Sequence, residues 1–260
     1  MRCDVYLFQN GFAESRSQAR TLIEAGSVCI NGKIIKKASD AVDEGAINNV
    51  EITSVLPYVS RGGLKLDAAL RYFGIDVGGC KALDIGASTG GFTDCLLQSG
   101  ASSVIAVDSG ENQMAKRLRD DDRVQCIEKY NARYMKAEDF SFVPDIAVMD
   151  VSFISQTLIF PSLADVMPEN GVLISLIKPQ FEAGKSAVGK NGIVKKTSDR
   201  RAAIERVVLS ANAIGFGCFG LTASPIEGGD GNIEFLAAFR KGASMTVDKN
   251  TIERVAEGKP

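Results

Sequence analysis

Four charged side chains stand where an alternating α/β chain would bring them to one edge of its sheet. Asp150 and Lys178 each follow a predicted strand, Glu234 begins one, and Lys65 lies in a predicted helix. Folds of this kind bind ligands at the carboxyl ends of their parallel strands. Any one of these charges alone is ordinarily a solvated side chain or half of a surface ion pair. Together, two lysines and two carboxylates could form a site for acid–base chemistry.

The amino-acid composition restricts which chemistry is available. The chain contains no histidine, which excludes Ser-His-Asp and Cys-His catalysis and imidazole metal ligands. Its six cysteines are scattered, without metal-binding or redox spacing, and indicate thiols in a reducing compartment. We therefore expect no metal, and any acid–base group must be Lys, Asp, Glu, Tyr or Cys.

A glycine-rich stretch, LDIGASTGGFT at residues 83–93, lies between a predicted strand and a predicted helix. Glycines there let the backbone turn tightly and approach a ligand closely. Asp108, at the end of the next strand, suits the two hydroxyls of a ribose. Asp84 precedes the first glycine, as is common where the ligand carries a positive ammonium. The pattern favours S-adenosylmethionine, with a dinucleotide site or a turn without ligand as the alternatives.

The elements that must position these residues fall into two domains. Residues 1–55 read as two helices, an Asn31-Gly32 hairpin and a further strand, which is a small α+β module. A linker over 56–62 precedes an α/β domain over 63–242, in which alternating strands and helices predict a parallel sheet covered on both faces. Residues 243–260 read as a polar, loosely held tail.

The boundaries within the larger domain follow from apolar runs and helical periodicity. The predicted strands are 82–85, 104–107, 124–127, 146–149, 172–177, 219–222 and 234–239, and the predicted helices are 64–73, 90–99, 113–119, 155–167 and 199–214.

Charge and hydropathy give little direct information on partners. The net charge of -2 provides no global attraction for nucleic acid, so an RNA partner would need a local basic patch. The N-terminus has no apolar stretch of signal-peptide length, and no apolar run approaches the roughly 18–20 residues of a spanning helix. We therefore expect a cytoplasmic protein without a membrane partner.

Several longer stretches resemble a known family from nearly one end of the chain to the other. They are ESRSQARTLIEAGSVCINGK, SRGGLKL, LDIGASTGGFTDCLLQSGA, NARY, DVSFIS, LIKPQFEAG, VGKNGIV and SPIEGGDGNIEFL. With them the chain resembles the FtsJ-like ribose 2'-O-methyltransferases and, more closely, the TlyA family, whose members are often labelled hemolysin A.

The resemblance implies a Rossmann-like, S-adenosylmethionine-dependent methyltransferase domain of the α/β class. It implies a K-D-K-E tetrad, which maps onto Lys65, Asp150, Lys178 and Glu234. It also implies a cofactor site near Asp84 and Asp108 that is lined by Gly86, Ser88, Gly90, Gly91 and Phe92. The implied substrate is a cytidine ribose in ribosomal RNA, presented as RNA or as a ribosomal subunit.

The N-terminal module resembles the αL-type RNA-binding domain of a small-subunit ribosomal protein. On that basis Arg16 and Arg20, one helical turn apart on the same face, are candidates for phosphate contacts. Lys33, at the hairpin, is a third candidate. The alternatives are a non-catalytic RNA-binding or ribosome assembly factor and a membrane-active hemolysin.

One segment departs from the family pattern. After Asp108 the family usually has a stretch with aromatic residues and a tryptophan further on. Here residues 109–118 read SGENQMAKRL, and the chain contains no tryptophan.

Overall fold

The computed structural model describes residues 1–13, 15–24, 26–46, 48–52, 57–228 and 231–258. It divides the chain into two units, Met1–Arg61 and Gly62–Pro260. The domain boundary that the sequence predicts at residues 55–56 lies outside the described residues. Of the predicted linker, Arg61 and Gly62 already belong to a helix.

The first unit packs two helices against a small antiparallel sheet. Its elements are α1 (Cys3–Gln9), α2 (Arg16–Glu24), β1 (Val28–Ile30), β2 (Lys33–Ile34) and β3 (Val50–Ile52), with the strand order β2-β1-β3. Asn31 and Gly32 both have positive φ, as a two-residue hairpin turn requires. The small core of this unit includes Leu7, Ile23 and Val28.

The second unit is built around one mixed sheet. Its strands are β4 (Lys81–Ile85), β5 (Ser103–Val107), β6 (Val124–Ile127), β7 (Ile146–Met149), β8 (Val172–Ile177), β9 (Phe216–Ala223) and β10 (Phe235–Lys241). Its helices are α3 (Arg61–Phe73), α4 (Gly91–Gln98), α5 (Lys116–Arg119), α6 (Phe160–Val166), α7 (Pro179–Glu182), α8 (Thr197–Ala213) and α9 (Lys249–Ala256).

Within the described residues of this unit, the strand order of the sheet is β6-β5-β4-β7-β8-β10-β9. Strands β4 to β8 pair in parallel, and β4, β7 and β8 are buried along almost their whole length, as apolar runs in a doubly covered sheet should be. The predicted α/β sheet is therefore confirmed. The parallel strands form the centre of the sheet, and beyond β8 the strand β10 runs antiparallel to both β8 and β9.

Two helices begin later in the chain than helical periodicity predicts. The helix predicted over 155–167 begins as a 3₁₀ turn at Gln156–Leu158, and α6 starts only at Phe160, with a proline in its first turn. The helix predicted over 113–119 is shortened to α5.

The C-terminal segment is not loosely held in the structure. Residues 249–256 form α9, and Val247, Ile252, Val255 and Ala256 are buried in the main core. The Arg200 side chain donates a hydrogen bond to the Ala256 carbonyl at 2.8 Å. The polar composition concealed an amphipathic helix, because its few apolar residues all lie on one face.

Candidate active site

The strand order brings three of the four predicted catalytic residues to one edge of the sheet. Asp150 follows β7 and Lys178 follows the adjacent parallel strand β8. Glu234 precedes β10, whose first residue Phe235 pairs with Ile177 at the end of β8. Because β10 is antiparallel, its beginning lies at the edge where β7 and β8 end.

The fourth residue, Lys65, reaches this edge from α3. Its Nζ atom lies 2.5 Å from Oε2 of Glu234. Both side chains are buried, with Glu234 only 3% exposed. A buried ammonium and a buried carboxylate compensate each other only when they are paired, so each of these residues determines the position of the other.

A second ion pair joins Lys178 and Asp150. The Lys178 Nζ lies 2.6 Å from Oδ1 of Asp150 and also donates a hydrogen bond to Oγ of Ser152 at 2.7 Å. Both side chains of the pair keep partial exposure. The structure therefore arranges the tetrad as two lysine–carboxylate pairs, of which the Lys178–Asp150 pair has the more exposed carboxylate. The sequence did not single out Ser152, although it lies two residues beyond Asp150.

A cavity of about 810 Å³ opens beside Asp150, between the ends of β4, β5 and β7. Of the residues predicted to bind the cofactor, Gly86, Ser88 and Asp108 line it. The other four, Asp84, Gly90, Gly91 and Phe92, are not among the residues that line it.

Two glycines of the turn have steric reasons to be glycine. Gly86 has φ +85°, and a Cβ atom there would lie 2.5 Å from the carbonyl oxygen of Asp150. Gly90 has φ +92°, and its Cβ would lie 2.4 Å from a methyl carbon of Leu118. The turn can therefore lie against the end of β7 only because Gly86 has no side chain, and the positive φ of Gly90 favours glycine at the beginning of α4.

Asp108 is held in place by the backbone around it. Its two carboxylate oxygens accept hydrogen bonds from the amides of Ser88 at 2.8 Å and Gly110 at 2.7 Å. The Ser88 hydroxyl donates to Oε1 of Gln113 at 3.0 Å. The divergent segment 109–118 supplies Ser109, Gly110 and Gln113 to the cavity wall.

Asp84 is fully buried beneath the glycine-rich turn. It accepts a hydrogen bond from the Thr93 hydroxyl at 2.6 Å. Burial raises the pKa of its carboxyl to about 7; the Thr93 hydrogen bond opposes this rise, and the nearby Asp150 and Asp108 add to it. In this position Asp84 links β4 to α4.

A groove of about 470 Å³ adjoins the cavity and shares Phe153 and Ile154 with it. The Phe153 side chain is 93% exposed and its backbone has φ +64°, which is unusual for a bulky residue. Its ring lies 5.3 Å from that of Phe181, and Lys185 also lines the groove. The sequence signal for Phe153 is its place in the DVSFIS stretch, three residues after Asp150.

The N-terminal unit presents a separate cluster of arginines. Arg16 and Arg20 both contact Oδ2 of Asp4, at 3.3 and 3.1 Å, and Arg2 contacts its Oδ1 at 2.9 Å. The guanidinium groups hold the pKa of the Asp4 carboxyl well below its ordinary value, with the Arg2 hydrogen bond as the largest cause. Each arginine side chain is about half exposed, while Asp4 is buried. Lys33 lies on β2, and its side chain is exposed.

The described part of the chain contains neither a membrane-spanning helix nor a cluster of metal ligands. No helix there is both long enough and apolar enough to cross a membrane. Among the same residues, no three or more Cys, Asp and Glu side chains are grouped so that they could hold a metal ion.

Known proteins resemble this chain over both units. Residues 58–241 match the family described as FtsJ-like methyltransferase, and residues 1–48 match the S4 domain. A Bacillus subtilis protein provisionally named rRNA methyltransferase YqxC is 46% identical over 90% of this chain and 84% of its own length. The 16S/23S rRNA (cytidine-2'-O)-methyltransferase TlyA of Mycobacterium tuberculosis is 39% identical over 97% of this chain and 94% of its own length.

A solved structure extends the similarity to three dimensions. It is described as a hemolysin from Streptococcus thermophilus and superposes with a TM-score of 0.80 at 44% identity, covering 99% of this chain and 94% of the other. The resemblance in the motifs, the match over residues 58–241 and these relatives agree. The chain belongs to the FtsJ-like methyltransferase family and carries an N-terminal S4 domain.

Proposed function

We propose that this protein transfers a methyl group from S-adenosylmethionine to the 2'-hydroxyl of a cytidine ribose in ribosomal RNA. The observation that carries the proposal is the Lys178–Asp150 pair at the carboxyl edge of the sheet, of which Asp150 lines the cavity. The activity named for the Mycobacterium tuberculosis relative supports both the nucleotide and the ribose hydroxyl.

The residues present fit the proposed cofactor. A volume of about 810 Å³ lies within the usual range of small-molecule sites, and Gly86 lets the turn at its wall pack directly against the Asp150 carbonyl. Asp108 would hold the ribose hydroxyls of the cofactor, since its carboxylate is already oriented by two backbone amides. S-adenosylmethionine supplies, when bound, an electrophilic methyl group on a positively charged sulfur.

Lys178 is the group we assign to proton transfer. A ribose hydroxyl is a weak nucleophile and must lose its proton as the new bond forms. In its neutral form the Lys178 amine can accept that proton, and Asp150 at 2.6 Å then pairs with the ammonium. Ser152 holds the same nitrogen from a second direction. The Lys65–Glu234 pair is buried beside them and would keep the beginning of β10 in place.

The groove beside the cavity suits an unstacked nucleotide. Specific RNA recognition commonly uses bases that stack on aromatic rings. Phe153 offers an exposed ring next to Asp150, supported by Phe181, and Lys185 offers a charge for a phosphate. In the S4 domain, the half-exposed arginines around Asp4 would contact the RNA backbone.

The test is transfer of labelled methyl from S-adenosylmethionine to purified ribosomal subunits. The wild-type protein is compared with Lys178→Ala and with Lys249→Ala, a control at an exposed lysine of α9. We expect label in RNA that protects one ribose from alkaline cleavage, unchanged by the control and reduced at least about 100-fold by Lys178→Ala. Measurable cofactor binding without label on either subunit would favour a non-catalytic RNA-binding factor instead.

A further inference from the structure

Three contacts join the segment after β7 to the segment after β8. The Lys178 ammonium donates a hydrogen bond to the Ser152 hydroxyl, and the Phe181 ring packs on the Phe153 ring. The Glu182 carboxylate accepts a hydrogen bond from the Ser155 hydroxyl. We call these three contacts the clasp. The contact at Ser152 lies beside the cavity, and the contact between the two phenylalanines lines the groove. The contact at Glu182 lies in the protein interior.

Glu182 is the buried anchor of the clasp. It is 2% exposed, and its two carboxylate oxygens accept from the Ser155 hydroxyl at 2.5 Å and from the Gln156 amide at 2.9 Å. The side chain of Gln156, 1% exposed, accepts in turn from the hydroxyl of Ser175 on β8. Arg206 of α8 donates to the Glu182 carbonyl at 3.2 Å.

This arrangement supports a loop that is strained. Phe153 has φ +64°, a conformation that costs a bulky residue energy and persists only where its surroundings enforce it. The Phe153 side chain itself does little to stabilise this backbone conformation, because it is exposed to solvent over most of its surface. The hydrogen bonds of Glu182 to the two residues beyond the loop are shielded from water and therefore stronger.

We propose that Glu182 is a positioning residue, which sets the distance between the Asp150–Phe153 loop and Lys178 without touching substrate. This inference rests on the proposed function only for its kinetic readout. Glu182 lies four residues after Lys178, and Ser155 lies five residues after Asp150, so the anchor holds both chain segments close to their reactive ends. An error of about 1 Å there can slow a reaction about 100-fold.

The experiment compares Glu182→Ala, Glu182→Gln and Ser155→Ala, with Glu253→Ala on α9 as an exposed control. The glutamine variant can keep both contacts. The side-chain oxygen of the glutamine can accept a hydrogen bond from the Gln156 backbone amide. Its side-chain NH₂ can donate to the Ser155 hydroxyl oxygen, and the Ser155 hydroxyl can then donate to Oγ1 of Thr157, 2.7 Å away.

We expect Glu182→Ala to lower kcat for RNA methylation about 10- to 100-fold with little change in the KM for S-adenosylmethionine. Glu182→Gln should restore the rate to within a few-fold of the wild type. Ser155→Ala should show a smaller loss in the same direction, and it preserves the test if Glu182→Ala does not fold.

A second readout does not depend on activity. Reductive methylation with formaldehyde, followed by mass spectrometry, reports how accessible each lysine is. Lys178 should be labelled several-fold faster in Glu182→Ala than in the wild type, while Lys249 should not change. A folded Glu182→Ala protein with wild-type kcat and wild-type Lys178 labelling would overturn the inference, as would equal losses in the alanine and glutamine variants. If the wild-type protein methylates no RNA, the proposed function fails while the labelling still tests the clasp.

Discussion

The Nζ atom of Lys65 and the Oε2 atom of Glu234 lie 2.5 Å apart, although 169 positions separate the two residues along the chain. Both side chains are buried. The pair therefore joins helix α3, near the beginning of the second unit, to the residue that immediately precedes strand β10. Any change to one partner leaves the other charge in a poorly solvated place.

This pair should show strong coupling in stability measurements. Glu234→Leu, or Lys65→Met alone, should reduce the free energy of unfolding by about 3–5 kcal/mol, because an unpaired buried charge remains. The double variant should lose much less than the sum of the two. Urea denaturation of all four proteins measures the coupling, and additive losses would contradict it.

Phe153→Ala should weaken RNA methylation without weakening the fold. The ring is 93% exposed, so its removal should change the free energy of unfolding by about 0.5 kcal/mol or less. Loss of a stacking surface worth about 1–3 kcal/mol should lower kcat/KM for RNA about 5- to 150-fold. Leu209→Ala, at an exposed apolar residue of α8, is the matched control. Equal kcat/KM values in the two variants would exclude a stacking role.

Asp84→Asn should change how stability depends on pH. Burial raises the pKa of the folded-state carboxyl to about 7 from an ordinary 3.8, so the folded protein retains a proton that the unfolded chain releases. The contribution of Asp84 is therefore full below about pH 4, falls as pH rises, and is lost above about pH 7.

The expected loss is at most roughly 4 kcal/mol across that window. Thermal unfolding of the cofactor-free protein between about pH 4.5 and 8 measures it. The wild type should lose stability relative to Asp84→Asn as pH rises, and then run parallel to it above about pH 7. Parallel curves throughout would show that Asp84 is not buried as a neutral acid.

Arg16→Ala combined with Arg20→Ala should weaken binding to ribosomal RNA and flatten its salt dependence. Each lost phosphate contact lowers the slope of log affinity against log salt by about 0.7–0.9. Arg123→Ala is the control, since this arginine is also half exposed and paired with an aspartate. Titrations between about 50 and 200 mM salt measure both quantities, with circular dichroism to check folding. An unchanged slope would remove these arginines from the interface.

Much of the second unit could be predicted from short-range patterns. The strands 124–127, 146–149 and 172–177 have the predicted bounds. In the last two, apolar runs between polar residues mark strands that are buried on both faces. The glycine-rich turn and the strand-end residues Asp108, Asp150 and Lys178 could be placed for the same reason. The direction of β10 could not, since apolar composition does not distinguish a parallel from an antiparallel neighbour.

The sequence by itself determined the order of the elements, the absence of histidine chemistry and the edge of the sheet where the reactive side chains meet. Only the tertiary structure decided which lysine pairs with which carboxylate, how Glu182 anchors the clasp, and that the polar C-terminal segment completes the core. The tertiary structure also decided that Asp84, predicted to contact the cofactor, is buried and accepts a hydrogen bond from Thr93. Such pairings depend on distances between residues far apart in the chain, and those distances exist only after the sheet has packed against its helices.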